Sequence, residues 1–95
     1  MKEFKVGDEF VYCPDERTCF CKITEIKRWD DEEQGGKCGM ISYERYIYKH
    51  NSCDAIKHEE SAAEIFRDEV EDKEYVQIDH WMTHRYCIRH VVYVE

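Results

Sequence analysis

Phe4 to Trp29, FKVGDEFVYCPDERTCFCKITEIKRW, constrains the fold more than any other stretch, because it alternates apolar and polar residues on both sides of the chain's only proline. Phe4, Val6, Phe10 and Tyr12 share one parity while Lys5, Glu9 and Val11 take the other, which is the period of a half-buried strand. Gly7-Asp8 interrupts that run and predicts a bend ahead of a strand proper at Glu9. Cys13-Pro14-Asp15-Glu16 then supplies the fixed φ of a turn, so the strand reverses. On the way back Cys19, Cys21 and Ile23 share a face but Ile26 falls on the other, and a bulge near Thr24 would absorb the slip and bend the sheet.

Val6-Gly7-Asp8-Glu9-Phe10, the proline turn and a long second strand ending Ile23-Thr24-Glu25-Ile26 resemble the first hairpin of SH3-like barrels, the KOW, Tudor and chromo-type modules included. Thr18-Cys19 stands where those modules commonly carry a small residue. The resemblance implies a curved antiparallel sheet used for binding and names no ligand.

At 95 residues the chain makes one domain, 1–95, with a single modest core. Its 42% hydrophobic and 14% aromatic content argues for a folded protein despite 38% charged residues. No apolar run approaches the roughly 20 residues of a membrane span. MKEFKVGDEF lacks the apolar block of a secretory signal, so a cytoplasmic location is expected.

Six cysteines invite a disulfide framework, which a reducing compartment disfavours, or a zinc site. Cys13, Cys19, Cys21, Cys38, Cys53 and Cys87 contain no C-x2-C pair, and the histidines add only His50-x2-Cys53 and His84-x2-Cys87-x2-His90. A four-residue loop from Pro14 to Arg17 would put Cys13 on the face opposite Cys19 and Cys21; a three-residue loop would reunite them. Buried free thiols are therefore expected, with no metal and no cofactor.

Asp30 to Gly39, with four consecutive acids and adjacent glycines, reads as an exposed acidic loop. Met40 to Lys49 reads as a third strand, with Ile41, Tyr43 and Ile47 on one side and Tyr46 and Tyr48 on the other, although a helical period fits it too. Beyond it, Ser61-Ala62-Ala63-Glu64 has the form of a capping box. It predicts a helix over about 54–72, with Ala62, Ile65, Phe66 and Val70 facing the sheet and Glu64, Arg67, Asp68 and Glu71 facing away. Glu74 to His80 and Arg85 to Val94 read as two further strands around a loop at Trp81 to His84. The expected fold is α+β: a curved five-stranded antiparallel sheet, SH3-like or a partly open barrel, with one helix in the order β-β-β-α-β-β.

The formal charge is −8, and it is unevenly spread. Glu59 to Glu74 holds eight acids against Arg67 and Lys73, and Asp30 to Glu33 adds four, whereas His80 to His90 holds two arginines, three histidines and no acid. So acidic a chain repels nucleic acid but can compete with it for a basic groove. Without a glycine-rich elbow or phosphate loop, no enzyme is expected. In type the chain resembles the small acidic proteins with which phages oppose host defences, anti-CRISPR proteins among them. That implies a non-enzymatic inhibitor or adaptor, monomer or homodimer, which takes a basic partner surface through Asp30, Asp31, Glu32, Glu33, Glu64, Asp68 and Glu71. One alternative is an SH3-like module gripping a peptide or small ligand through Tyr12, Phe20, Tyr46 or Trp81; another is a small zinc protein.

Overall fold

In a computed structural model the chain is an all-β meander of six antiparallel strands curled into a half-barrel. The structure describes residues 1–14, 16–30, 36–50, 56–83 and 86–95, with backbone alone for 80–83 and 86–88. The strands are β1 (Glu9–Tyr12), β2 (Arg17–Arg28), β3 (Lys37–Lys49), β4 (Lys57–Asp68), β5 (Lys73–Thr83) and β6 (Tyr86–Tyr93), each hydrogen-bonded to the next in chain order.

The first hairpin follows its alternation. Tyr12 pairs with Cys19 and Phe10 with Cys21, and all four side chains are buried on the inner face. The register slips between Ile23 and Glu25, where the apolar parity changes, and the extra residue bends β2. A second slip lies between Lys37 and Gly39 on β3. A Cβ on Gly39 would sit 2.5 Å from the Lys27 carbonyl oxygen, so this crossing of β2 and β3 requires glycine. Gly7 takes a φ of 96° in the Lys5–Asp8 bend, closed by Asp8 N donating to the Lys5 oxygen at 3.0 Å, and the bend leaves Val6 exposed.

The expected helix over 54–72 is not there, and no helix occurs among the described residues. Its described part forms β4 and a turn. In β4, Ala63 and Ile65 point into the core while Phe66 points out and stacks on Tyr75, so Ile65 and Phe66 occupy opposite faces instead of one stripe. Helix propensity is a weak preference worth tenths of a kcal/mol per residue. Pairing with β3 over Lys57–Phe66 and with β5 over Glu64–Asp68 outweighs it. The fold is thus all-β with six strands, not α+β with five strands and a helix. The third strand begins earlier than expected, at Lys37, taking the end of the acidic loop into the sheet. β5 runs through Trp81 to Thr83, where a loop was expected.

The core fills the concave side, around Ile23, Ile41, Tyr43, Ile65, Val76 and Ile78. One carboxylate lies among them: Glu74, fully buried. It pairs with Arg28 and accepts from the Phe4 N–H at 2.8 Å, while Arg28 donates to the Phe4 carbonyl at 2.8 Å. These bonds tie the N-terminal segment, the end of β2 and the start of β5 into one knot. The hydrogen bond that Arg28 donates to Glu74 in turn holds the Arg28 pKa above its ordinary value.

Candidate recognition surface

The pleat that buries Phe10, Tyr12, Cys19 and Cys21 turns their neighbours outward. Val11 faces Phe20 across the ladder, Phe20 faces Tyr46, and Tyr46 faces His58, so four strands contribute one continuous row on the convex side. Val11, Phe20 and Tyr46 are 53%, 49% and 43% exposed. Tyr46 leans against the His58 imidazole with ring centres 4.7 Å apart, which steadies the end of the row. A shallow pocket of about 200 Å³ opens beside Val11, Phe20, Lys22 and Tyr46. The neighbouring row on the same face, Glu9–Lys22–Glu44–Glu60, carries three acids and one lysine. Tyr48 extends the aromatic surface toward His50, whose Nε2 lies 2.5 Å from Thr18 Oγ1.

Of the aromatic residues singled out from sequence, the structure brings Phe20 and Tyr46 together and removes Tyr12. Tyr12 lies on the inner face, 6% exposed, where it accepts a hydrogen bond from Arg45 at 2.8 Å and packs on the His90 ring. Burial drives its phenol pKa well above the ordinary range despite that bond. Trp81 falls on β5, opposite Cys87, and its side chain lies outside the described residues.

Of the acidic residues singled out from sequence, Asp30, Glu64, Asp68 and Glu71 fall among the described residues. Asp31, Glu32 and Glu33 lie outside the described residues, and Asp30 is exposed at the end of β2. Glu64 pairs with Lys37 at 2.8 Å. Asp68 caps the β4–β5 turn, accepting from the Val70 and Glu71 N–H groups at 3.0 Å each and from the Tyr93 hydroxyl at 3.0 Å, and the Glu71 bond leads in pulling its pKa down. Glu71 is exposed in that turn. Glu64 and Asp68 stand on strand β4 and Glu71 in the turn after it, so no helix face presents the three together.

The described thiols divide as the pairing of Tyr12 with Cys19 requires. Cys13 is exposed, with its sulfur 3.7 Å from Thr18 Oγ1, while Cys19, Cys21 and Cys38 are buried. Thr18 thus stands between the Cys13 thiol and the His50 imidazole. Burial pushes the Cys21 thiol up to about 12. Among the described residues no three His, Cys, Asp or Glu side chains are grouped to hold a metal ion.

Sequence reasoning missed the ion pair inside the curl. Arg45, on the inner parity of β3, reaches Glu59 at 2.5 Å, and Lys57 reaches the other Glu59 oxygen at 2.8 Å. The Lys57 and Arg45 bonds hold the Glu59 carboxyl down at about 2. Burial pulls on Arg45 in the opposite direction, and its bonds to Glu59 and Tyr12 more than offset it. The available signal was parity: Arg45 follows Ile41 and Tyr43 at spacings of two. No known family, curated protein or solved structure matches this chain.

Proposed function

We propose that this chain is a non-enzymatic protein-recognition module that grips its partner through Val11, Phe20 and Tyr46 on the convex face. The observation carrying this reading is the register, which sets three large exposed apolar side chains from three strands side by side instead of scattering them. Aromatic anchors of this kind contribute most of the energy of an interface, about 2 kcal/mol or more for each one that becomes fully buried.

The partner presents a basic surface. A net charge of −8, with Glu9, Glu44 and Glu60 beside the aromatic row, attracts such a surface and repels nucleic acid. An inhibitor or adaptor acting on a nucleic-acid-binding protein, of the kind phages direct against host defences, fits that complementarity. Placing a photo-crosslinking phenylalanine analogue at position 20 or 46 tests it. Crosslinks to a partner should form from both positions and not from Glu71, and equal crosslinking from Glu71 would remove the row from its role.

A further inference from the structure

Ser61-Ala62-Ala63-Glu64, which looks like a helix cap in the sequence, lines a cavity of about 440 Å³ in the folded sheet. β4 and β5 pair only from Glu64 opposite Gln77 to Asp68 opposite Lys73, yet β4 begins at Lys57 and β5 continues to Thr83. The cavity opens where that pairing stops, and Ser61, Ala62 and Ala63 line it with small residues, Ala62 on the exposed face.

Tyr43 reaches this cavity from the core. It is 1% exposed, and its hydroxyl has no hydrogen-bond partner among the described residues. Ser61 lies across the ladder from it and, with Tyr12, offsets part of the upward push that burial exerts on the phenol, but neither stands in well-formed hydrogen-bond geometry to it. Leaving a buried hydroxyl unpaired costs folding free energy that a bound polar ligand would offset.

The charges at the rim are paired. Lys37 Nζ is 2.8 Å from Glu64, and Arg89 Nε is 3.4 Å from Asp79. An anion would meet Glu64 and Asp79, and a cation would meet Lys37 and Arg89. A neutral ligand dense in hydroxyls finds both donors and acceptors, including the Gln77 amide, whose oxygen accepts from the Arg89 guanidinium at 3.3 Å and whose NH2 is left to donate. Phe66, backed by Tyr75 at 5.3 Å, adds an apolar wall of the sort that a sugar ring packs against. The volume lies within the range of ordinary small-ligand sites.

We propose that this cavity binds a saccharide-like polyhydroxy ligand, with the Tyr43 and Ser61 hydroxyls among its partners. The proposal is independent of the recognition row on β1 to β3.

Amide-resolved NMR titration with D-glucose, D-galactose, D-mannose and N-acetyl-D-glucosamine tests it. At least one sugar should shift the Ser61, Ala62 and Gln77 amides with a Kd of about 1–10 mM. Tyr43→Phe should weaken binding about tenfold without lowering the melting temperature, since the hydroxyl has no partner to lose. Ala62→Leu, at an exposed strand position, should fill the floor and abolish binding in a folded protein. The proposal fails if no sugar moves these amides, if inorganic phosphate or acetate moves them instead, if both variants bind sugar like the parent, or if Tyr43→Phe lowers the melting temperature.

Discussion

Replacing Glu74 should destabilise this protein more than any other single polar substitution among the described residues, and the magnitude follows from its contacts. Glu74→Ala removes the acceptor of the buried Phe4 N–H and the counter-charge of Arg28. An orphaned buried N–H costs about 1–3 kcal/mol. Breaking a buried ion pair from one side costs about 3–5 kcal/mol in all. The Arg28 side chain keeps 30% exposure and regains some water, which places the expected loss near the lower half of that range. Glu74→Gln keeps an oxygen for Phe4 but loses the charge, and should cost about 1–2 kcal/mol. Against a total stability of about 5–15 kcal/mol, the alanine variant is marginal. Urea melts separate the two: with a slope of about 2 kcal/mol per molar, glutamine should move the midpoint by about 0.5–1 M and alanine by about 1.5–2 M. A glutamine variant indistinguishable from the parent would refute the view that Glu74 acts through its charge on Arg28, and equal costs for the two variants would refute its role as acceptor of the Phe4 N–H.

Further outcomes follow from the same structure. Glu59 has its carboxyl pKa depressed to about 2 from an ordinary 4.5, so the stability it contributes is present above pH 4.5 and lost as pH falls toward 2; in Glu59→Gln, acid melts should be flatter across that window. Ile65→Ala, at a fully buried site, should cost about 2–5 kcal/mol by chemical denaturation, whereas Phe66→Ala removes a half-buried ring and should cost clearly less. Glu64→Ala should change stability by no more than about 0.5 kcal/mol, because it caps no helix and its ion pair is exposed; a loss of 2 kcal/mol would reinstate a structural role. Iodoacetamide on the native protein should label Cys13 well before Cys19, Cys21 and Cys38, by peptide mass analysis, and equal labelling would contradict the buried inner face.

What the sequence revealed was whatever alternates with period two. The β1–β2 hairpin, the slip at Thr24, the inward Ile41 and Tyr43, and the inward Val76 and Ile78 all follow from parity. The segment from Lys57 to Asp68 was misread because alanine and glutamate favour helix locally, while its pairing partners lie far along the chain and are invisible to a local pattern. The same non-locality hid the candidate site. Phe20 and Tyr46 stand out as aromatic residues, but only the register shows that they touch one row with Val11 and that Tyr12 faces the other way. Glu74 looked like one acid among eight, and only the curl of the sheet places it beside Arg28.

The central claim is that the convex row Val11–Phe20–Tyr46 carries recognition, and the affinity of a captured partner for three proteins tests it most directly: the parent, Phe20→Ala/Tyr46→Ala, and Glu9→Lys/Glu44→Lys/Glu60→Lys. The aromatic variant should melt within a few degrees of the parent and lose binding by about a hundredfold or more. The charge-reversed variant should associate more slowly, with a weaker salt dependence. A folded aromatic variant that binds like the parent, with the charge reversal alone abolishing binding, would contradict the account and leave the interaction to electrostatics.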